Sequence, residues 1–203
     1  VPTILASAAT AAGAFAATNV DDFVVLTALF ATVGRGGPTR GRIVAGQYLG
    51  IGALLVVSVA AAVVFLAVPE RWFGLLGLVP IALGVRGLVS AGRARTPRTS
   101  QTKAPVAVPV RGVLGVAGVT VANGGDNLSV YIPLLHRGYT TAVVAVFAVV
   151  FAVLIAVWCV LAFLVSGRQP VIALVEATGH WLVPALFIVI GVRIVATSGL
   201  LLV

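Results

Sequence analysis

The chain has 203 residues, 61% of them hydrophobic and 9% charged, with a formal net charge of +8 at pH 7. So small a charged fraction is too little to clothe a water-soluble domain, which argues against a soluble enzyme or nucleic-acid-binding module and for an all-α integral membrane protein. The lone cysteine excludes an internal disulfide.

A helix needs about 20 apolar residues to cross a hydrocarbon core of about 30 Å, and six runs of that order follow one another along the chain. The first, Thr3 to Val33, contains "TNVDDFVVL", Thr18 to Leu26. It reads as a span, not a signal peptide: it outruns a signal core and holds two aspartates. The second, Ile43 to Val68, carries Gln47 and Tyr48, which could face a cavity but have no spacing to single them out. Glu70 and Arg71 then form a short turn before the third run, Phe73 to Ala91, with Arg86 inside it. The segment from Ala91 to Gly112 is polar and holds Pro97, Pro105 and Pro109, the composition of a flexible linker.

The fourth run, Val113 to Leu135, contains "VTVANGGDNLSVYIPLL", and the fifth, Thr141 to Val165, contains Cys159 beside Trp158. The sixth extends from Trp181 to Val203 and includes Arg193. None of the runs shows the strict alternation of a barrel strand, so all six are predicted as helices. His136 with Arg137, and His180 with Trp181, sit at run ends where polar and aromatic groups anchor helices in the interface. Glu176 lies ahead of the sixth run, at the expected cytoplasmic entrance.

Cations sort to one side. Arg35, Arg40 and Arg42 follow run one; Arg93, Arg95, Arg98, Lys103 and Arg111 follow run three; Arg168 follows run five. Only Arg71 and Arg137 fall in the other loops. The positive-inside rule then puts these three basic loops in the cytoplasm and both termini outside. Topology and attraction to anionic membrane lipids account for the basicity, so no nucleic-acid partner is expected.

The linker, about residues 92–112, divides a single transmembrane domain into halves, about 3–91 and 113–203, and the halves match. "TNVDDFVVL" lies on "ANGGDNLSV" without a gap, placing Asn19 on Asn123 and Asp22 on Asp126, and the Gly84-Val85-Arg86 string recurs as Gly191-Val192-Arg193. Three spans per half is an odd number, so the second half must enter the membrane inverted. The predicted fold is six transmembrane helices as two inverted three-helix repeats, with a site near the midplane on broken helices where the halves meet. Gly124 and Gly125 are expected to loosen the fourth helix there.

Each aspartate at the centre of a span costs about 2.5 to 3.5 kcal/mol on insertion scales. Asp21, Asp22 and Asp126 therefore point to function, and Asn19-x-x-Asp22 and Asn123-x-x-Asp126 each put both groups on one helical face. Carboxylates and amide oxygens together suit a cation, and adjacent acids in low dielectric would hold protons when it is absent. Arg86 and Arg193, at depths near Asp22 and Asp126, are candidate counter-ions or gates. Such pairing would leave Asp21 and the recurring asparagines unexplained. Thr18, Ser129 and Cys159 are weaker candidate ligands; the hydroxyls can instead bond to their own helices, and a buried cysteine often fills space.

"TNVDD", "GQYLGIGALL", "VPERWFGLLGLVPIALGVRGL" and "NGGDNLSVYIPL" together resemble the cadmium resistance transporter (CadD) family of the LysE exporter superfamily, over nearly the whole chain. The resemblance implies six helices in an inverted repeat, a bacterial plasma membrane, and export of Cd²⁺ as substrate, with Zn²⁺ a further candidate. It places the family's acidic motifs on Asn19, Asp21 and Asp22, and on Asn123, Asp126 and Asn127. Soft cadmium favours sulfur, yet the chain has no Met and one Cys, and oxygen ligands suit Mn, Ca or Mg at least as well.

No P-loop is present, and no permanent cofactor or enzymatic activity is expected. The reading is a secondary transporter that exchanges a divalent cation for protons, Asp22 and Asp126 alternating between the two. The alternative is an exporter of cationic amino acids or another small cation, although the Asn-Pro-Gly-Pro type of sequence associated with such members is missing. An intramembrane aspartyl protease is disfavoured because Asn123 stands where its Gly-x-Gly-Asp motif needs glycine. Small residues throughout the helices would allow a homodimer.

Overall fold

The structure, a computed structural model, describes residues 3–65, 75, 77–93, 110, 112–137, 140–168, 181, 183–192 and 194–196. Among these residues it is helical, without strands. The helices are α1 (Ile4–Thr18), α2 (Val20–Ala31), α3 (Arg40–Val64), α4 (Leu78–Arg93), α5 (Val113–Asn123), α6 (Gly125–Arg137) and α7 (Thr141–Val165), followed by the apolar helix α8 (Val183–Ala196). The expectations for Glu70, Arg71, Glu176, His180, Arg193 and most of the linker fall outside the described residues.

Two helices, α3 and α7, are each 25 residues long and apolar enough to cross a membrane. At 1.5 Å per residue each exceeds the roughly 30 Å hydrocarbon thickness. The pair α1 and α2 passes the same test as one span bent by 61°, which makes up to three such spans among the described residues. Val149, Val153, Val157, Val160 and Leu164 of α7 are exposed, as expected of a helix whose outer face meets lipid rather than water.

The first and fourth apolar runs, expected as spans, are each divided. The first breaks at Asn19, which has φ −111° and ψ 16°. Its backbone N–H donates to the Phe15 carbonyl at 3.0 Å, and its side-chain Nδ2 donates to the same oxygen at 2.8 Å. An asparagine side chain that competes for backbone partners in this way disfavours a straight helix. The fourth run breaks at Gly124, whose N–H donates to Val121 over a three-residue turn. Leu54 of α3 lies against Gly124 so closely that a Cβ there would collide with it.

In chain order each half therefore offers a broken helix, a 25-residue helix and a shorter apolar helix. The long helices pack across the halves: α3 lies against α5 and α6, and α7 against α1 and α2. Gly46 and Gly50, one turn apart on α3, rest on α5. A Cβ at Gly46 would stand 2.8 Å from the Val113 carbonyl, and one at Gly50 would stand 2.7 Å from the Thr120 Cβ. In lipid, where burial of apolar surface offers no drive to associate, such backbone approach supplies van der Waals contact instead.

The α1–α7 contact is aromatic. Phe15 meets Phe151 and Trp158 with ring centroids 5.3 and 5.5 Å apart, and the Tyr131 ring of α6 lies 4.9 Å from that of Phe151, tilted by 57°. This cluster holds the first break in place from the α7 side.

The third contact joins α4 to α8. A Cβ on Gly84 would lie 2.5 Å from the Pro184 carbonyl, and one on Gly191 would lie 2.6 Å from the Gly77 carbonyl. The register that lays Gly84 on Gly191 also lays Gly77 on Pro184, so the two contacts are images of each other.

Candidate cation site at the two helix breaks

The polar residues of the apolar runs collect around the two breaks. Asp22, in the first turn of α2, and Asp126, in the first turn of α6, both follow directly on a break. Carboxylates are favoured there by the partial positive charge of a helix N-terminus. Asp22 is 5% exposed. Asp126 is half-buried, and both Asp126 and Asp21 lie near enough to act electrostatically on Asp22.

Asp22 is held by α3. Gln47, 1% exposed, donates through Nε2 to Asp22 Oδ2. The Oε1 of the same amide accepts from the Thr120 hydroxyl of α5 at 2.8 Å. A chain of hydrogen bonds thus runs from the acid of the first half, through α3, to the first segment of the second half's broken helix.

A second network surrounds Asn19. Its Nδ2 donates to the Tyr131 hydroxyl at 2.9 Å and to Thr18 Oγ1 at 3.0 Å. Thr18 Oγ1 and the Tyr131 hydroxyl are themselves 2.9 Å apart. The Asn19 carbonyl, at the bend, accepts from Trp158 Nε1 of α7 at 2.9 Å. The same carbonyl also accepts from the Phe23 backbone N–H at 3.0 Å, so the indole adds a second hydrogen bond at the bend.

Among the described residues, two buried side-chain oxygens have no such partner. Asn19 Oδ1 and Asn127 Oδ1 are buried and receive no hydrogen bond, on residues that are 0% and 3% exposed respectively. Buried amide oxygens are normally satisfied, and each exception calls for an explanation. One lies at the break of the first half, three residues before Asp22; the other immediately follows Asp126.

The remaining predicted site residues are placed as follows. Asn123, the last residue of α5, is half-buried, and Asp21 is exposed on α2. Ser129 bonds to the Asp126 carbonyl of its own helix at 2.7 Å, and Thr18 bonds to Ala14 in the same manner at 3.0 Å. Cys159 is buried in α7, within electrostatic reach of Asp22. Arg86 is exposed on α4, while Gln47 and the neighbouring carboxylates surround Asp22. Arg193 lies outside the described residues. Among the described residues no three of His, Cys, Asp and Glu come together as a metal cluster. A cation held here would take its oxygens from carboxylates, amides and hydroxyls.

Thr120, Tyr131 and Trp158 were not legible as site residues, and Gln47 was legible only as a residue that could face a cavity. For Gln47 a signal existed: Gly46 and Gly50 mark the face of α3 that presses on another helix, and Gln47 sits on its border.

A family model for cadmium resistance transporters matches residues 15–202, nearly the whole chain. The chain belongs to the cadmium resistance transporter family. Membership accords with the apolar helices and makes the protein a membrane transporter. No curated protein and no solved structure matches it.

Proposed function

We propose that this member of the cadmium resistance transporter family exports divalent metal cations, cadmium and also zinc, from the cytoplasm of a bacterium in exchange for protons. The observation that carries the reading is the pair of buried amide oxygens without donors, Asn19 Oδ1 and Asn127 Oδ1, beside carboxylates that follow two helix breaks. A cation satisfies those oxygens as no apolar neighbour can. Asp22 and Asp126 supply the two negative charges that neutralise a dication, and Asn123 and Asp21 stand at the margins of the same breaks. Cys159 is the one sulfur donor near Asp22 and the natural source of any preference for a soft ion.

Repulsion between neighbouring carboxylates in a low-dielectric site is relieved by a dication or by protons, which is the elementary condition for exchange. The six-span inverted repeat is supported by the repeated order of broken, long and short helices and by the mirrored Gly84–Pro184 and Gly191–Gly77 contacts. Rocking of the two halves about the breaks would open the site to each side in turn.

The test is Cd²⁺ flux in sealed vesicles under an imposed pH gradient. Protons flowing one way are expected to drive Cd²⁺ the other, and Asp22→Asn and Asp126→Asn, each folded, are expected to abolish the flux. Flux indifferent to the gradient would remove the proton step, and normal flux in both variants would remove the site.

A further inference from the structure

Gln47 is a costly residue to place where it is. An amide transferred to an apolar setting without partners costs several kcal/mol, and a leucine would fill a similar volume between α3 and α5 without that cost. Both ends of the amide are instead engaged, with Nε2 on Asp22 and Oε1 on Thr120. Its two edges have nearly the same shape but opposite hydrogen-bonding character, and a half-turn about the last side-chain bond exchanges them.

The partner on the far edge tolerates that exchange. A threonine hydroxyl both donates and accepts, and Thr120 Oγ1 already lies 3.3 Å from the Val116 carbonyl one turn earlier in its own helix. After the half-turn, Gln47 Nε2 would donate to Thr120, and Thr120 would donate to Val116. The donors on Gln47 Nε2 and Thr120 that are bonded before the half-turn each keep an acceptor, and Gln47 Oε1 now stands beside the Asp22 carboxylate.

Resting on the cation-site reading above, we propose that Gln47 is a ligand of the transported dication and its stand-in when the ion is absent. The amide N–H lies on the flank of Asp22 where a cation's charge would sit. On binding, the amide inverts and presents its oxygen to the ion, while Thr120 of the other half registers the change through its own hydrogen bond. The ion is thereby sensed by α3 and α5, the helices packed through Gly46 and Gly50.

The experiment is equilibrium binding of Cd²⁺ to the purified full chain, comparing wild type with Asp22→Asn, Gln47→Leu and Gln47→Glu. Leu and Glu both remove the N–H donated to Asp22, but only Glu keeps an oxygen to offer. Gln47→Leu is expected to weaken binding by about 10- to 100-fold, the range typical of groups that support a metal site, while Gln47→Glu binds at least as tightly as wild type. Equal weakening in both would make Gln47 a positioning donor and overturn the ligand role, as would wild-type affinity in both. If Gln47→Leu does not fold, Gln47→Asn, one methylene short, replaces it with the same expected loss. Absence of Cd²⁺ binding in wild type, or undiminished binding in Asp22→Asn, would instead overturn the cation site itself and the Gln47 role with it.

Discussion

Tyr131 shows how one hydroxyl can join two halves of a membrane protein. It is fully buried on α6, and its oxygen meets both Thr18 and Asn19 at the end of α1. Tyr131→Phe keeps the ring on Phe151 and deletes only those bonds. The expected cost is about 1 to 3 kcal/mol, because Asn19 and Thr18 lose a buried partner, read as a lower melting temperature in detergent with Cd²⁺ affinity reduced as well. An unchanged melting temperature would show that the network contributes nothing to the break. At this scale the charged residues were legible and their neutral partners were not. An aspartate in an apolar run declares itself through its insertion cost, whereas Tyr131 and Trp158 are ordinary membrane residues until the fold brings them to Asn19. Gln47 was visible as polar, but its meaning depends on Asp22 lying opposite, a fact of packing with no local signature.

The two breaks were unequally legible as elements. Gly124 and Gly125 announce the second, since consecutive glycines weaken a helix. The first has neither glycine nor proline; it forms where Asn19 turns its side chain back to the Phe15 carbonyl, and Trp158 adds a second bond to the Asn19 carbonyl. Packing of α3 on α5 is likewise written in Gly46 and Gly50, yet which helix they meet is not. Any Cβ at Gly50 would intrude on Thr120, so Gly50→Val is expected to push α3 from α5. Overpacking typically costs about 1 to 3 kcal/mol, and here it also pulls Gln47 from Thr120. The measurable outcome is loss of the monodisperse species in gel filtration, or, where protein survives, weakened Cd²⁺ binding. A Gly50→Val variant with wild-type stability and binding would mean that the close approach is dispensable.

Among the described residues, the long helix of each half packs chiefly on the broken helix of the other. That interlocking could be anticipated from the sequence only as far as the matched motifs of the two halves allowed. Orientation rests on the arginines alone, because neutral helices insert equally well either way up. With Cys159 replaced by serine, cysteines at exposed Thr39 and Thr141 report the two faces. An impermeant maleimide added to intact cells is expected to label the Thr141→Cys protein and spare the Thr39→Cys protein; the reverse would invert the assigned topology. In the proposed function, carboxylates from the two breaks hold one dication together. Anomalous diffraction from crystals of the full chain grown with Cd²⁺ tests it most directly. The predicted result is a single strong peak within about 2.3 to 2.6 Å of carboxylate oxygens of both Asp22 and Asp126, the distance typical of a large dication on oxygen ligands. A peak elsewhere, with those two carboxylates free of metal, would contradict it.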